Sequence, residues 1–309
     1  TIARNTSDRK TYWFVRLEED GFVGLGEAAH NVRYGESLES VEAVFLEAKK
    51  RESLVIATDQ NAALAALDMA RLDLQGKKEK KALTESLGVK PGNLPLSSIS
   101  IGIDEPDKIA QKVAEVNGYP ILKVKLGSGN DEAIMQAVRE STDQLVRVDA
   151  NEGWQTKEEA LEKCEWLADL NVEFVEQPLP TGRLDEVSWV RERSPLPLVA
   201  DEDVISAEDV PKLAGVYDGI TLKLMKAGSF AVVLDSIERA RTCGLKIMLG
   251  CMIESSLGIT AMAHLGSLAD WLDLDGNLLI ANDPFCGVTD EFGKLTLPTG
   301  HGLGITRRT

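Results

Sequence analysis

The chain has 309 residues, more than one small core usually needs, and its 43% apolar content is enough to bury a large one. Fifty acidic residues against 34 lysines and arginines give a net charge of −16, which argues against a nucleic-acid or anionic-membrane surface and leaves any anionic substrate dependent on local cations. No apolar run approaches the roughly 18 residues of a membrane span, no secretory leader opens the sequence, and Cys164, Cys243, Cys251 and Cys286 form no CxxC pair, so a cytoplasmic protein with reduced core cysteines is expected.

Residues 10–18 read as a strand, Asp20-Gly21 as a hairpin turn and 22–26 as the returning strand. Helical spacing follows over 37–50. A second helix is predicted over 61–75, where Leu64, Leu67, Ala70 and Leu72 make an apolar stripe that Gly76 ends. The basic run 77–81 reads as a solvated turn. Pro91-Gly92-Asn93 punctuates the chain, which predicts a first domain over 1–92 and a second over 93–284.

Beyond that point strands and helices alternate. Strands are predicted over 94–101, 121–126, 145–149, 172–176, 197–201, 220–224, 246–249 and 271–275. Helices are predicted over 107–116 and 131–140, after a capping box at Thr156-Lys157-Glu158-Glu159, from Leu184, from Ser206, over 231–242 and from Gly258. Eight strands separated by seven helices predict an α/β fold in which a parallel sheet closes into a barrel. An open doubly wound sheet is the alternative, but no Gly-rich dinucleotide fingerprint follows any strand. Residues 285–309 lose the rhythm and are expected to fold back on the amino-terminal part.

Chemistry in such a barrel sits at the C-terminal strand ends. Those ends carry Lys123 and Lys125, Asp149, Glu176, Asp201, Lys223, then Asp273 and Asp275. One ionisable residue at a rim is often only a salt bridge; a run of them on successive strands is hard to explain that way. Asp149, Glu176 and Asp201 offer oxygens without any His or Cys, which suits a hard divalent ion, Mg²⁺ first and Mn²⁺ second. Asn151, two residues past the first acid, is placed to support them. Lys125 and Lys223 flank the acids. As bases they need a pKa lowered from about 10.4 toward neutrality, and Lys123 with the metal would supply the like charge. A substrate carboxylate on the metal acidifies its α-carbon, because the metal stabilises the resulting enediolate. One lysine then removes a proton from one face and the other returns one to the opposite face, inverting a stereocentre. A barrel that only binds a cation or a peptide has no use for two opposed lysines.

The set Lys123-Val124-Lys125, Asp149-Ala150-Asn151, Glu176-Gln177-Pro178, Asp201-Glu202-Asp203 and Lys223-Leu224-Met225-Lys226-Ala227-Gly228 resembles the enolase superfamily, muconate-lactonizing subgroup. The resemblance implies a modified (β/α)7β barrel with an α+β capping domain built from the N-terminal region and the C-terminal tail. It also implies one Mg²⁺ per subunit held by the three acids, Lys125 and Lys223 as acid/base catalysts, and Lys123 against the substrate carboxylate. Asp273-Leu274-Asp275 sits where dipeptide epimerases of the Ala-Glu type carry an Asp-x-Asp for the substrate's α-ammonium. Arg4 falls near the place where such epimerases put an arginine for a glutamate side chain, and Met252 and Ile253, after the seventh strand, are expected to line the pocket. Lys226 receives no role.

The expectation is a Mg²⁺-dependent dipeptide epimerase acting on Ala-Glu or another small or hydrophobic dipeptide, a homo-oligomer connected with cell-wall peptide turnover. Muconate cycloisomerases and o-succinylbenzoate synthases of the same subgroup are the alternative; their dianionic substrates have no need of the acid pair. A non-catalytic metal- or peptide-binding barrel is a more distant one. His30, His264 and His301 end no predicted barrel strand, which disfavours a His-Asp base.

Overall fold

The computed structural model describes residues 1–309 apart from 4, 5, 7, 53, 91 and 309, so the expected boundary residue Pro91 lies outside it. β1 (Trp13–Glu19) and β2 (Phe22–Ala28) pair antiparallel from Trp13 opposite Ala28 to Glu19 opposite Phe22. Asp20 and Gly21 between them both have positive φ, 52° and 80°, as a two-residue turn matched to strand twist requires. α1 (Leu38–Arg51) starts at a reciprocal Ser37–Ser40 cap.

α2 (Asn61–Glu79) lies across the hairpin, and two glycines make the approach possible. A Cβ on Gly24 would fall 2.0 Å from the Ala70 carbonyl oxygen, and one on Gly26 1.9 Å from that of Ala66. The helix does not end at Gly76. It runs on to Glu79 because Gly76 serves packing: a Cβ there would stand 2.7 Å from the Cα of Gly302. The basic run is accordingly no loose turn, since Lys77 lies in the last helical turn with its ammonium 2.6 Å from Asp73 Oδ2 and 2.8 Å from the Val23 carbonyl. A short helix, α3 (Leu83–Ser86), follows.

The rest of the core is an eight-stranded parallel sheet with its strands in chain order: β3 (Ile99–Ile101), β4 (Ile121–Lys125), β5 (Leu145–Asp149), β6 (Val172–Glu176), β7 (Leu198–Ala200), β8 (Gly219–Leu222), β9 (Lys246–Gly250) and β10 (Trp271–Asp273). A bridge between Ser97 and Leu272, with Ser98 N–H 3.1 Å from the Leu272 carbonyl, joins the outer strands into a barrel. The crossovers carry α4 (Pro106–Glu115), α5 (Asp131–Ser141), α6 (Lys157–Ala168), α7 (Leu184–Arg191), the short α8 (Leu224–Ala227) before α9 (Phe230–Thr242), and α10 (Ser256–Ala263).

Five further expectations need correction. Between β7 and β8 there is a 3₁₀ turn, Val210–Leu213, in place of a helix from Ser206. Asp209 accepts from the backbone of Ile205 and Ser206 and ties the segment into a local turn, and Gly215 at φ 77° ends it. The first barrel strand is three residues long. The strand predicted over 220–224 stops at Leu222, where the chain winds into α8, and the last strand stops at Asp273. The capping box at Thr156 is half formed: Thr156 accepts from the Glu159 N–H, but the Glu159 carboxylate turns to the Gln155 N–H.

The carboxyl-terminal segment adds β11 (Phe285–Cys286) paired with β14 (Thr306–Arg307), and β12 (Thr289–Glu291) paired with β13 (Lys294–Thr296). It rests on the hairpin and α2: Phe285 packs edge-on to Phe14 with centroids 5.2 Å apart, and Leu303 N–H donates to Asp73 Oδ1 at 2.8 Å. Only Cys164 is a core cysteine; Cys243 and Cys251 are half-buried, and Cys286, on the edge strand β11, is exposed. Among the described residues no helix is long and apolar enough to cross a membrane.

Candidate active site

Parallel register sets the site. β4 and β5 align Lys125 with Asp149, and β5 and β6 align Asp149 with Glu176, so three successive strands end at one level. Asp201 follows β7 directly. Oxygens of Asp149, Glu176 and Asp201 lie within 4.8 Å of one another, and all three residues are buried. Asp201 opens onto a cavity of about 1470 Å³ whose lining also includes Lys123, Lys125, Lys223, Asp273 and Asp275. Met252 and Ile253 lie on its wall. Arg4 is outside the described residues.

Lysines surround the acids. The Lys123 ammonium is 2.6 Å from Glu176 Oε2, 2.6 Å from Asp273 Oδ2 and 3.3 Å from Asp149 Oδ2. Lys125 pairs with Asp149 at 2.6 Å and Lys223 with Asp201 at 2.7 Å. The two flanking lysines thus reach the two end members of the triad, with Glu176 between. Asp273 also accepts from Ser98 Oγ at 2.8 Å, and Asp275 from the Ser100 N–H at 2.6 Å. Asn151 supports the site through its backbone, donating its N–H to Asp149 Oδ1 at 2.9 Å from a left-handed conformation, φ 46°.

Burial and charge sort the acids. Burial alone would raise Asp149, but Lys125 and then Lys123 hold it down at about 2. Asp201 is likewise lowered against its burial by Lys223 and Lys226. Burial and then the Asp149 charge push Glu176 up to about 7. Burial and then Asp273 push Asp275 up to about 6, while Asp273 itself is lowered by Lys123. At Lys223 the protein's own charges act in the opposite sense to the lowering expected with the ion. Its burial and Lys123 do pull downward, but the Asp201 carboxylate and Tyr34 outweigh them and raise it. Lys123 is raised for the same reason by Asp273, Glu176 and Asp149.

Several contributors carried no signal that sequence reading used. Lys226 donates to the Asp201 carbonyl and to Oδ1, both at 2.6 Å, and to the Thr221 carbonyl at 3.1 Å. Thr221 donates to Glu176 Oε1 at 2.8 Å; it lies two residues before Lys223, and strand alternation could have placed the two on one face. The Arg33 guanidinium grips Glu152 with two bonds of 3.0 and 2.8 Å, which sets the 3₁₀ turn Val32–Tyr34 at the rim with Tyr34 in the cavity wall. Three carboxylates this close, with oxygen donors only, fit a hard divalent cation.

Comparison with known proteins agrees with this geometry. A family model described as enolase C-terminal domain-like matches residues 107–308, and one described as mandelate racemase/muconate lactonizing enzyme, N-terminal domain, matches residues 1–88. The L-Ala-D/L-amino acid epimerase of Pedosphaera parvula is 44% identical over 98% of this chain and 92% of its own. The L-Ala-D/L-Glu epimerase of Bacteroides thetaiotaomicron is 37% identical over 95% of this chain and 80% of its own. The structure of a dipeptide epimerase from Enterococcus faecalis, complexed with Mg and the dipeptide L-Leu-L-Tyr, superposes with a TM-score of 0.86 at 34% identity, covering 95% of this chain and 91% of that one.

Proposed function

The chain belongs to the enolase superfamily, in its mandelate racemase/muconate lactonizing enzyme family, and from that premise we propose that it is a Mg²⁺-dependent dipeptide epimerase inverting the α-carbon of the C-terminal residue. One observation carries the mechanism: Lys125 and Lys223 approach the acid triad from its two ends, at Asp149 and at Asp201. Asp149, Glu176 and Asp201 are the residues that would hold the ion. When bound, Mg²⁺ supplies positive charge beside the substrate carboxylate, which lowers the barrier to losing the α-proton. Lys125 takes that proton on one face, and Lys223 delivers one on the other. Lys123, inside the acid cluster, faces the substrate carboxylate. Asp273 and Asp275 give the dipeptide's ammonium two carboxylates in which to sit. Met252 and Ile253 contribute apolar wall.

The acid pair also sets this reading apart from a muconate cycloisomerase or an o-succinylbenzoate synthase, whose dianionic substrates it would repel. The four unpaired cysteines support a cytoplasmic setting, and the Ala-Glu activity named for a relative supports a reading in which the substrates come from cell-wall peptide. The test is incubation of Ala-Glu and of small and hydrophobic L,L-dipeptides with the enzyme and Mg²⁺ in D₂O. Inversion with one deuterium gained at the C-terminal α-carbon is expected. Turnover of muconate or of the succinylbenzoate precursor, with no exchange into any dipeptide, would overturn the assignment.

A further inference from the structure

We propose that Gln177 is a positioning residue that sets the spacing between Glu176 and Asp201, and so readies the triad for its cation before the cation arrives. Gln177 follows Glu176 directly and is fully buried. It stands in the left-handed region, φ 39°, which disfavours a side chain of this kind and which surrounding contacts must therefore enforce. Those contacts are present. Its Oε1 accepts from the backbone N–H of Asp201 at 3.0 Å and of Asp203 at 3.2 Å. Its Nε2 donates to the Leu179 carbonyl at 3.0 Å and Asp203 Oδ2 at 2.9 Å, and lies 3.3 Å from the Tyr217 hydroxyl. Its own carbonyl accepts from Glu152 N–H at 2.9 Å, and its N–H donates to Val199 at 2.9 Å.

One residue thus ties together the segments that follow β5, β6 and β7, and the three acids of the triad stand where those segments begin. Glu176 is fixed to Gln177 through the chain, and Asp201 is fixed through its amide. The other supports reach one acid each: Lys226 ties the Asp201 carbonyl and carboxylate to the Thr221 carbonyl, and Thr221 Oγ1 holds one oxygen of Glu176, whereas Gln177 joins the Glu176 segment to the Asp201 amide directly. Three carboxylates within 4.8 Å repel one another. Without the amide clamp the Asp201 segment keeps only its lysine contacts against that repulsion, and the N–H groups of Asp201 and Asp203 lose their acceptor. An amide suits this place because it presents an acceptor to two N–H groups and donors to Asp203 in one planar unit. A glutamate of the same shape would turn an oxygen toward the Asp203 carboxylate.

This inference rests on the reading of the triad as a metal site, and a titration with Mn²⁺ alone, followed by loss of the free-ion EPR signal, separates the two. Wild type should bind one Mn²⁺. Gln177→Leu and Gln177→Glu should bind it about 10- to 100-fold more weakly, the range typical of partners that orient metal ligands. Asp203→Asn added to Gln177→Glu exchanges amide and carboxylate across the same contact and should recover part of that loss, a result that general destabilisation would not give. Val187→Ala, a buried truncation in α7, serves as the control for destabilisation and should bind as wild type does. Affinity within twofold of wild type in the folded Gln177→Glu protein, or no recovery in the double variant, would overturn the proposal. A wild-type chain that takes up no Mn²⁺ would overturn the metal site itself and this proposal with it.

Discussion

Two clusters of buried carboxylates, one at the barrel mouth and one at the start of α10, are treated in opposite ways. At the barrel mouth, Asp149, Glu176, Asp201 and Asp273 are met by the ammonium groups of Lys123, Lys125, Lys223 and Lys226. At the start of α10, Glu27 and Asp283 are met by backbone amides and hydroxyls. Glu27 accepts from Ser255 N–H at 2.9 Å, Ser255 Oγ at 2.6 Å and Gly258 N–H at 3.0 Å, while Asp283 accepts from the Ser256 N–H at 2.9 Å. Beside them Glu254 accepts from the Met252 N–H at 2.7 Å. The charge consequences diverge. Asp149 is held at about 2 by its lysines, whereas burial first and the charge of Glu27 second push Glu254 up to about 8. Mobile cations beside acids make a site that can exchange charge with a ligand; fixed N–H groups at a helix end make a fastening. From the hairpin comes Glu27 and from the tail comes Asp283, so the fastening joins both to the barrel.

The largest effects are expected at the lysines. Lys125→Ala and Lys223→Ala should each lower epimerisation by about 10³-fold or more, within or above the range for loss of a general acid or base. Each variant should still exchange the α-proton of one stereoisomer, followed by NMR in D₂O. Full inversion by both would remove the two-base mechanism.

A fastening should answer in stability and leave the metal site alone. Glu27→Ala strips three donors at the α10 terminus of their acceptor and should cost about 1–3 kcal/mol in denaturant unfolding, with Mn²⁺ affinity unchanged. A fall in affinity to match the fall in stability would mean that the two acid clusters are one system.

The smallest effect concerns pH. Glu254 has its folded pKa raised from 4.5 to about 8, so the folded state holds a proton that the unfolded state releases between those values. Its contribution is fully present below about pH 4.5 and is lost as pH rises through 8. Glu254→Gln, neutral in both states, should therefore unfold with a flatter stability profile across pH 5–8 and gain most on wild type near pH 8. Parallel profiles for the two proteins would show that Glu254 is ionised in the fold.

The mouth was legible in the sequence because each strand-ending acid or lysine announces itself locally: an apolar run, then a charge, repeated on strand after strand. The fastening was not, because nothing near Glu27 or Asp283 marks α10 as their partner. Gln177 was visible only as part of a motif, since strand alternation turns it away from the site and only its left-handed backbone returns it. Gly24, Gly26 and Gly76 show the same limit. In the sequence a glycine reads as a turn or a stop; here each gives room to a second backbone that arrives from elsewhere in the chain. The 3₁₀ turn at Val210–Leu213 escaped because apolar spacing over so short a segment fits either helix type.

The grip of Glu27 on Ser255 and Gly258 spans 228 and 231 residues, and that distance orders events during synthesis. The hairpin and α2 can pack on each other as soon as they leave the ribosome, but their attachment point does not exist until β9 and the first turn of α10 have been made. Closing so long a loop carries a slowly growing entropic cost and places this contact among the late steps of folding. Until then Glu27 is a solvated carboxylate, and its burial against α10 marks the moment at which the hairpin joins a turn made 228 residues after it.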